Sequence, residues 1–219
     1  MTTYGSLFTG VGGFDLGCDA AGWHCDWQVE WDKKAASVLK RHWPDVPRCS
    51  DVRDVNGRDL PPVDVITFGF PCQDLSVAGN QAGLDGDRSK LFFEATRIIR
   101  EMREATDGTY PRIVIAENVR GLLYADGGIA MGRCINEMAL IGAVDIEWRL
   151  LDAQYFGIPQ RRRRVFIVAS FNPRARGSSP ILSQPESMRR SSAASIETRE
   201  DAASTIGRSV ECKSGAVAG

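Results

Sequence analysis

No Cys-x-x-Cys pair occurs among the six cysteines (Cys18, Cys25, Cys49, Cys72, Cys134 and Cys212), and only two histidines accompany them. That scarcity argues against a zinc centre or any other metal site, and against a dense disulfide framework. The thiols are expected to be reduced, most of them serving as small core hydrophobes. No run of 18 apolar residues is present, so the sequence offers no membrane-spanning helix. The opening Met1-Thr2-Thr3-Tyr4-Gly5 carries neither the basic flank nor the apolar stretch of a secretory signal, so a cytoplasmic protein with no membrane partner is expected. Internal repeats are absent. So is an excess of one charge: 27 basic against 28 acidic side chains give −1, with 43% hydrophobic and 25% charged residues. This is the profile of a globular protein, and it excludes collagen-like, mucin-like and wholly disordered chains. The balance hides a polarity, however. Residues 1–147 hold 15 basic and 22 acidic groups (−7), whereas residues 148–219 hold 12 and 6 (+6). An anionic partner would therefore meet the later part of the chain.

What is present alternates. Short apolar runs at 4–8, 26–30, 63–68 and 113–117, each bounded by Gly, Pro or charge, predict buried strands. Between them, 14–21, 33–42, 91–104 and 131–141 have helical spacing, as in Leu91, Ala95, Ile98 and Met102. Strand and helix in turn predict an α/β fold, a doubly wound and mostly parallel sheet covered on both faces. Residues 146–151 and 164–171 are two further strand-like runs. Their connection, 152–163, is too short for a crossover helix with its turns, so the sheet is expected to end in an antiparallel strand pair. From Asn172 onward ten serines and only isolated large aliphatics occur. A domain at 1–171 followed by a linker or an incomplete unit at 172–219 is the expectation.

Four stretches carry chemistry. Phe8-Thr9-Gly10-Val11-Gly12-Gly13 falls between the first strand and the first helix, where glycines let the backbone approach a ligand and leave the helix N-terminus open. Such a turn can also exist only to pack strand on helix. Glu30 stands about 20 residues further on, at the end of the second strand, where a carboxylate accepts ribose hydroxyls. The Gly-x-Gly-Gly pattern lacks the dinucleotide spacing, which favours an adenosine cofactor without a pyrophosphate. Trp31 beside it is either an aromatic lid on the sheet edge or a platform for adenine. Cys72, in Gly69-Phe70-Pro71-Cys72-Gln73-Asp74-Leu75-Ser76, lies in a polar turn just past a strand's carboxyl end, the edge where open parallel sheets place their chemistry. Glu117-Asn118-Val119 follows the next strand on that edge. Burial there would raise the Glu117 pKa and make it a proton donor, with Asn118 to orient it; a helix-capping acid is the alternative. In Gln160-Arg161-Arg162-Arg163-Arg164, strand alternation puts Arg162 and Arg164 on one side and Arg161 and Arg163 on the other. One pair can reach the active edge while the other meets phosphate; a solvated basic face is the plainer reading.

In that order and spacing, Phe-x-Gly-x-Gly-Gly, Pro-Cys-Gln, Glu-Asn-Val and Gln-x-Arg-x-Arg resemble the cytosine-C5 DNA methyltransferase family over residues 4–171. The resemblance implies a Rossmann-like, S-adenosylmethionine-dependent methyltransferase fold. It implies S-adenosylmethionine as cofactor, held around Phe8, Gly10, Gly12 and Gly13, with Glu30 on the ribose, Trp31 against adenine and Asp51 accepting from the adenine amino group. Leu91 belongs to the family's Asp-x-Arg-x-x-Leu-Phe stretch, although the usual Gly after Arg is Ser89 here. Cys72 would add to cytosine C6, Glu117 would donate to N3, and Arg164 with Arg162 would bind the base or its O2, on a base flipped out of double-stranded DNA. Pro71, Gln73, Ser76, Asn118 and Gln160 fall on the substrate side. No side chain is assigned to removal of the C5 proton, since neither His24 nor His42 lies near a motif.

Family members normally continue into a target-recognition region and return with a final helix. Nothing after Asn172 resembles that return, so residues 172–219 are expected to be a linker or the incomplete start of the recognition region, and a complementing C-terminal polypeptide is expected to be needed. A same-fold enzyme acting on tRNA and an inactive binding module derived from such an enzyme share these motifs and stay open at this point.

Overall fold

The computed structural model describes residues 1–71 and 91–172. Over them the chain runs β1 (Thr3–Leu7), α1 (Gly13–Ala20), β2 (His24–Val29), α2 (Lys33–His42), β3 (Arg48–Cys49), β4 (Val65–Gly69), α3 (Leu91–Ala105), β5 (Ile113–Val119), α4 (Ile129–Leu140), β6 (Asp145–Asp152) and β7 (Arg163–Ser170). The seven strands lie in the order β3-β2-β1-β4-β5-β7-β6. They are parallel from β3 through β5, and β7 is antiparallel to both of its neighbours. This is the mostly parallel α/β sheet with an antiparallel end that the alternating pattern predicts. The order reverses between β1 and β4, the kind of crevice where open α/β sheets bind ligands. No helix among the described residues is long and apolar enough to cross a membrane.

Local chemistry explains the boundaries. Asp32 caps α2, its Oδ1 accepting from the backbone of Lys34 at 2.9 Å and Ala35 at 2.8 Å, and Lys40, Arg41 and His42 complement the dipole in its last turn. Gly12 precedes α1 with φ +89°, and a Cβ on it would lie 2.5 Å from the Trp43 ring, so no larger residue can start this helix. In α3 the predicted stripe is buried at Ala95, Ile98 and Met102, joined by Phe92 and Ile99. These side chains form the main core with β4, β5, β7 and α4, while Tyr4, Cys18, Cys25, Leu39 and Trp43 form a smaller cluster around α1 and α2. Helices thus pack on both faces of the sheet, with the β7–β6 end of one face only partly covered.

Three features differ from expectation. Strand β3 has no counterpart in the predicted elements, because two residues next to Pro47 generate no pattern. Glu117, Asn118 and Val119 are the last residues of β5 and not a turn after it, which removes the helix-capping role for Glu117. Cys49 is exposed, whereas Cys18, Cys25 and Cys134 are buried, their thiols pushed up to about 12 chiefly by burial. Residues 173–219, expected to be linker or incomplete unit, lie outside the described residues.

Asp15, on α1, is fully buried. Its Oδ1 accepts from Gln28 Nε2 at 2.7 Å and Ser6 Oγ at 3.1 Å, and its Oδ2 has no hydrogen-bond partner. Burial holds the carboxyl above its ordinary value despite the hydrogen bonds from Gln28 and Ser6. A group that binds its proton more tightly when folded gives stability that is complete below the unfolded value, about 4, and is lost as pH rises through the folded value. Asp15→Asn carries no such proton. Its melting temperature relative to the parent should therefore climb steadily as pH rises above about 4, measured by circular dichroism; a difference independent of pH would show that the carboxyl is ionised in the fold.

Candidate active site

The first motif turns back immediately after β1. Phe8 adopts φ +53°, a left-handed backbone that a non-glycine residue rarely takes. Thr9 holds it there: its N–H and its hydroxyl each donate to the Val29 carbonyl at 3.2 Å, and its hydroxyl lies 2.8 Å from that of Ser6. Gly10 N–H then donates to Glu30 Oε2 at 2.6 Å, while Glu30 Oε1 accepts from Asp32 N–H at 2.7 Å. The Glu30 carboxylate is thereby fixed across the ends of β1 and β2, with further lone pairs on both oxygens.

A cavity of about 630 Å³ opens at this edge. Phe8, Glu30, Trp31, Asp51, Pro71 and Leu91 line it, six residues that the motifs single out. Gly10, Gly12 and Gly13 are not in its wall. Gly10 acts through Glu30, and Gly12 lets α1 begin. Trp31 is 74% exposed, which leaves an indole face at the rim free to stack. Asp51 caps the 3-10 turn Val52–Asp54, and Arg53 wraps onto it, Nη2 to Oδ2 at 2.6 Å and Nε to Oδ1 at 3.0 Å. Those bonds hold the Asp51 carboxyl below its usual range, so it is an ionised acceptor at neutral pH. Val52, Arg53 and Gly69 also line the cavity and were not anticipated. For Arg53 the signal was its place two residues after Asp51.

Across β4 lies a second group of side chains. Glu117 is opposite Gly69 in the β4–β5 register, and a Cβ on Gly69 would meet Glu117 Oε2 at 3.2 Å. From β7, Arg164 Nε reaches Glu117 Oε1 at 2.9 Å, and Arg162 Nη2 stands 4.0 Å from the same oxygen. Burial raises the Glu117 carboxyl above its ordinary value, with Arg164 and then Arg162 pulling the other way. The predicted alternation holds here, since Arg162 and Arg164 share Glu117. Arg163, expected to be free for phosphate, instead binds Asp152 at 3.1 Å and closes the β6–β7 hairpin. Arg161 and Gln160 are exposed in that hairpin, beside exposed Tyr155, Phe156 and Ile158. Asn118 does not orient Glu117: strand alternation sends it to the opposite, buried face, where Nδ2 donates to the Phe70 carbonyl at 3.1 Å. It secures the backbone just ahead of Pro71. Cys72, Gln73 and Ser76 lie outside the described residues.

A β3-β2-β1-β4-β5-β7-β6 sheet, with a carboxylate-lined cavity at its switch point and a half-buried acid next to it, is the Rossmann-like α/β fold that methyltransferases share. The chain belongs to the C-5 cytosine-specific DNA methylase family, whose model matches residues 2–210. It is 34% identical over 166 residues to the Type II methyltransferase M.HhaI of Haemophilus parahaemolyticus, covering 76% of this chain and 48% of that protein. It is 35% identical over 175 residues to M.Bsp6I of Bacillus sp. (strain RFL6), covering 78% and 53%. The chain thus spans about half the length of these relatives. In fold it resembles the S. pombe Dnmt2 methyltransferase, with a TM-score of 0.61 at 17% identity over 78% of this chain and 50% of that one. The Spodoptera frugiperda DNMT2 structure gives 0.60 at 20% identity over 85% and 54%.

Proposed function

We propose that this chain is the cofactor-binding and catalytic part of an enzyme that methylates C5 of cytosine in double-stranded DNA, with S-adenosylmethionine as donor. The observation that carries the reading is the adjacency, at one sheet edge, of the Glu30–Asp51 cavity and the half-buried Glu117–Arg164 pair. The cavity suits a nucleoside of this kind. It has the size of a small-molecule site, Glu30 and Asp51 offer acceptors for hydroxyl and amino groups, Trp31 offers a stacking face, and its one guanidinium, Arg53, is engaged by Asp51. Bound there, the cofactor supplies an electrophilic methyl group on a sulfonium centre. Cys72 adds as thiolate to C6 of a flipped-out cytosine, which makes C5 nucleophilic. Glu117 holds a proton for N3 as the adduct forms, and Arg164 with Arg162 stabilises the charge at that end of the ring. Pro71, Gln73, Ser76 and Gln160 shape the surroundings of the base, and Asn118 acts only indirectly, by holding the Phe70 carbonyl ahead of Pro71.

A complementing C-terminal polypeptide is part of this reading, because one face of β5-β7-β6 is incompletely covered. Leu151 and Phe166 are only partly buried there, with Phe14 packed edge-on against Phe166 at 6.1 Å, and Val11 and Leu16 nearby in sequence are 61% and 60% exposed. Such a patch marks an interaction surface. The reading is tested in two parts. Calorimetric titration with S-adenosylmethionine should give saturable 1:1 binding that Glu30→Ala and Asp51→Ala both weaken. Mixing the chain with the C-terminal half of a Type II relative should then give tritiated methyl incorporation into duplex DNA. No cofactor binding, or incorporation into tRNA but not DNA, would overturn it.

A further inference from the structure

Arg97 sits on α3, six residues after Leu91, and its guanidinium leaves the helix to reach the cavity wall. Nη1 donates to the Val55 carbonyl at 2.9 Å and Nη2 to the Val52 carbonyl at 3.0 Å. These are the first residue and the C-cap of the 3-10 turn that Asp51 caps, and the turn's own closing bond, Val55 N–H to Val52 carbonyl, is 3.3 Å. On the helix side the guanidinium is gripped by Glu94 at 2.8 Å and Glu101 at 2.9 Å. Glu101 also accepts from Gly57 N–H at 2.7 Å. Gly57 lies so close to α3 that a Cβ would stand 2.2 Å from the Ile98 carbonyl oxygen. The stretch from Asp51 to Gly57 has little regular structure of its own. It is fastened to one helix by one guanidinium, one carboxylate and one glycine contact.

We propose that Arg97 is a positioning residue for cofactor binding, fixing Asp51, Val52 and Arg53 in the cavity wall before the ligand arrives. The proposal rests on the reading of this cavity as the S-adenosylmethionine site. Its physical basis is preorganisation: a wall segment already ordered in the free protein does not lose conformational freedom on binding, and releasing it returns that loss to the affinity. Only a planar fork can donate to two carbonyls while accepting the approach of two carboxylates, so lysine is an incomplete substitute. Arg100, three residues on, provides the contrast. It faces α4, where its Nη2 meets Glu137 at 2.7 Å, a contact that involves no cavity-wall residue.

The test measures the dissociation constant for S-adenosylmethionine by calorimetry, and thermal stability, for the parent chain, Arg97→Met, Arg97→Lys and Arg100→Met. Arg97→Met is expected to raise the constant roughly tenfold or more and Arg97→Lys about threefold, at temperatures well below unfolding. Arg100→Met should leave it unchanged even where its melting temperature falls as far. A purely structural Arg97 would lower stability alone, so unchanged affinity in folded Arg97→Lys overturns the proposal, whether or not Arg97→Met folds. Equal weakening by Arg100→Met would overturn it too. A parent chain that binds no S-adenosylmethionine overturns the functional reading and this inference together, whereas normal parental binding unaffected by either Arg97 substitution overturns the inference alone.

Discussion

Cys72→Ser is expected to lower methyl transfer to DNA by roughly 10³-fold or more while leaving the dissociation constant for S-adenosylmethionine unchanged. The reason lies in the nucleophile. Cytosine C5 attacks poorly unless C6 first acquires an electron-rich partner, and a thiol is a few per cent thiolate at neutral pH whereas a serine hydroxyl is not ionised at all. The second reading of the same experiment is covalent. With 5-fluorocytosine in the target strand, fluorine occupies the position from which a proton must leave, so a bond between Cys72 sulfur and C6 would persist after methylation. The parent chain, supplied with cofactor and a C-terminal polypeptide, should form a DNA adduct that survives a denaturing gel, and Cys72→Ser should form none. Persistent turnover in Cys72→Ser would remove the covalent route.

Sequence patterns disclosed those parts of this molecule that depend on neighbours along the chain. Helix α2 has the bounds that its helical spacing predicts, Lys33 and His42, and the structure supplies the reason: Asp32 caps it and a basic triplet closes the last turn. Strands β1, β4 and β5 were visible because a buried parallel strand is a short apolar run between breakers. Glu30 was legible from its distance to the glycines, and its bond to Gly10 N–H is the physical link behind that spacing. What escaped depends on register or on contacts remote in sequence. That β7 inserts between β5 and β6 follows from antiparallel pairing on both of its sides, which no local pattern encodes. Val52 and Arg53 join the cavity because Arg97, more than 40 residues away, holds their turn. Asn118 looked like a partner for Glu117 because it is adjacent, yet in a strand adjacency means opposite faces, and its amide serves Phe70 instead. The same alternation that correctly brought Arg162 and Arg164 together gave no warning that Asp152 would claim Arg163.

Glu117→Gln is expected to reduce the turnover number by about 10²- to 10⁴-fold, the range for loss of a positioned proton donor, with cofactor affinity intact because Glu117 is not in the cavity wall. The pH dependence distinguishes this from simple damage to the site. Burial raises the Glu117 carboxyl and the guanidinium of Arg164, at 2.9 Å, pulls it back, followed by Arg162 at 4.0 Å. Activity that needs the protonated acid falls as pH rises through its pKa. In Arg164→Met the larger restraining charge is gone while the burial remains, so the carboxyl keeps its proton to higher pH, and the falling limb of the pH–rate profile should move upward. The plateau should fall at the same time, since Arg164 would no longer stabilise charge on the adduct. Arg162→Met should move the limb in the same direction by less, because its guanidinium is farther from the carboxylate. A limb that stays in place in Arg164→Met would mean that some other group titrates in the profile, and Glu117 would lose its role as the donor to N3.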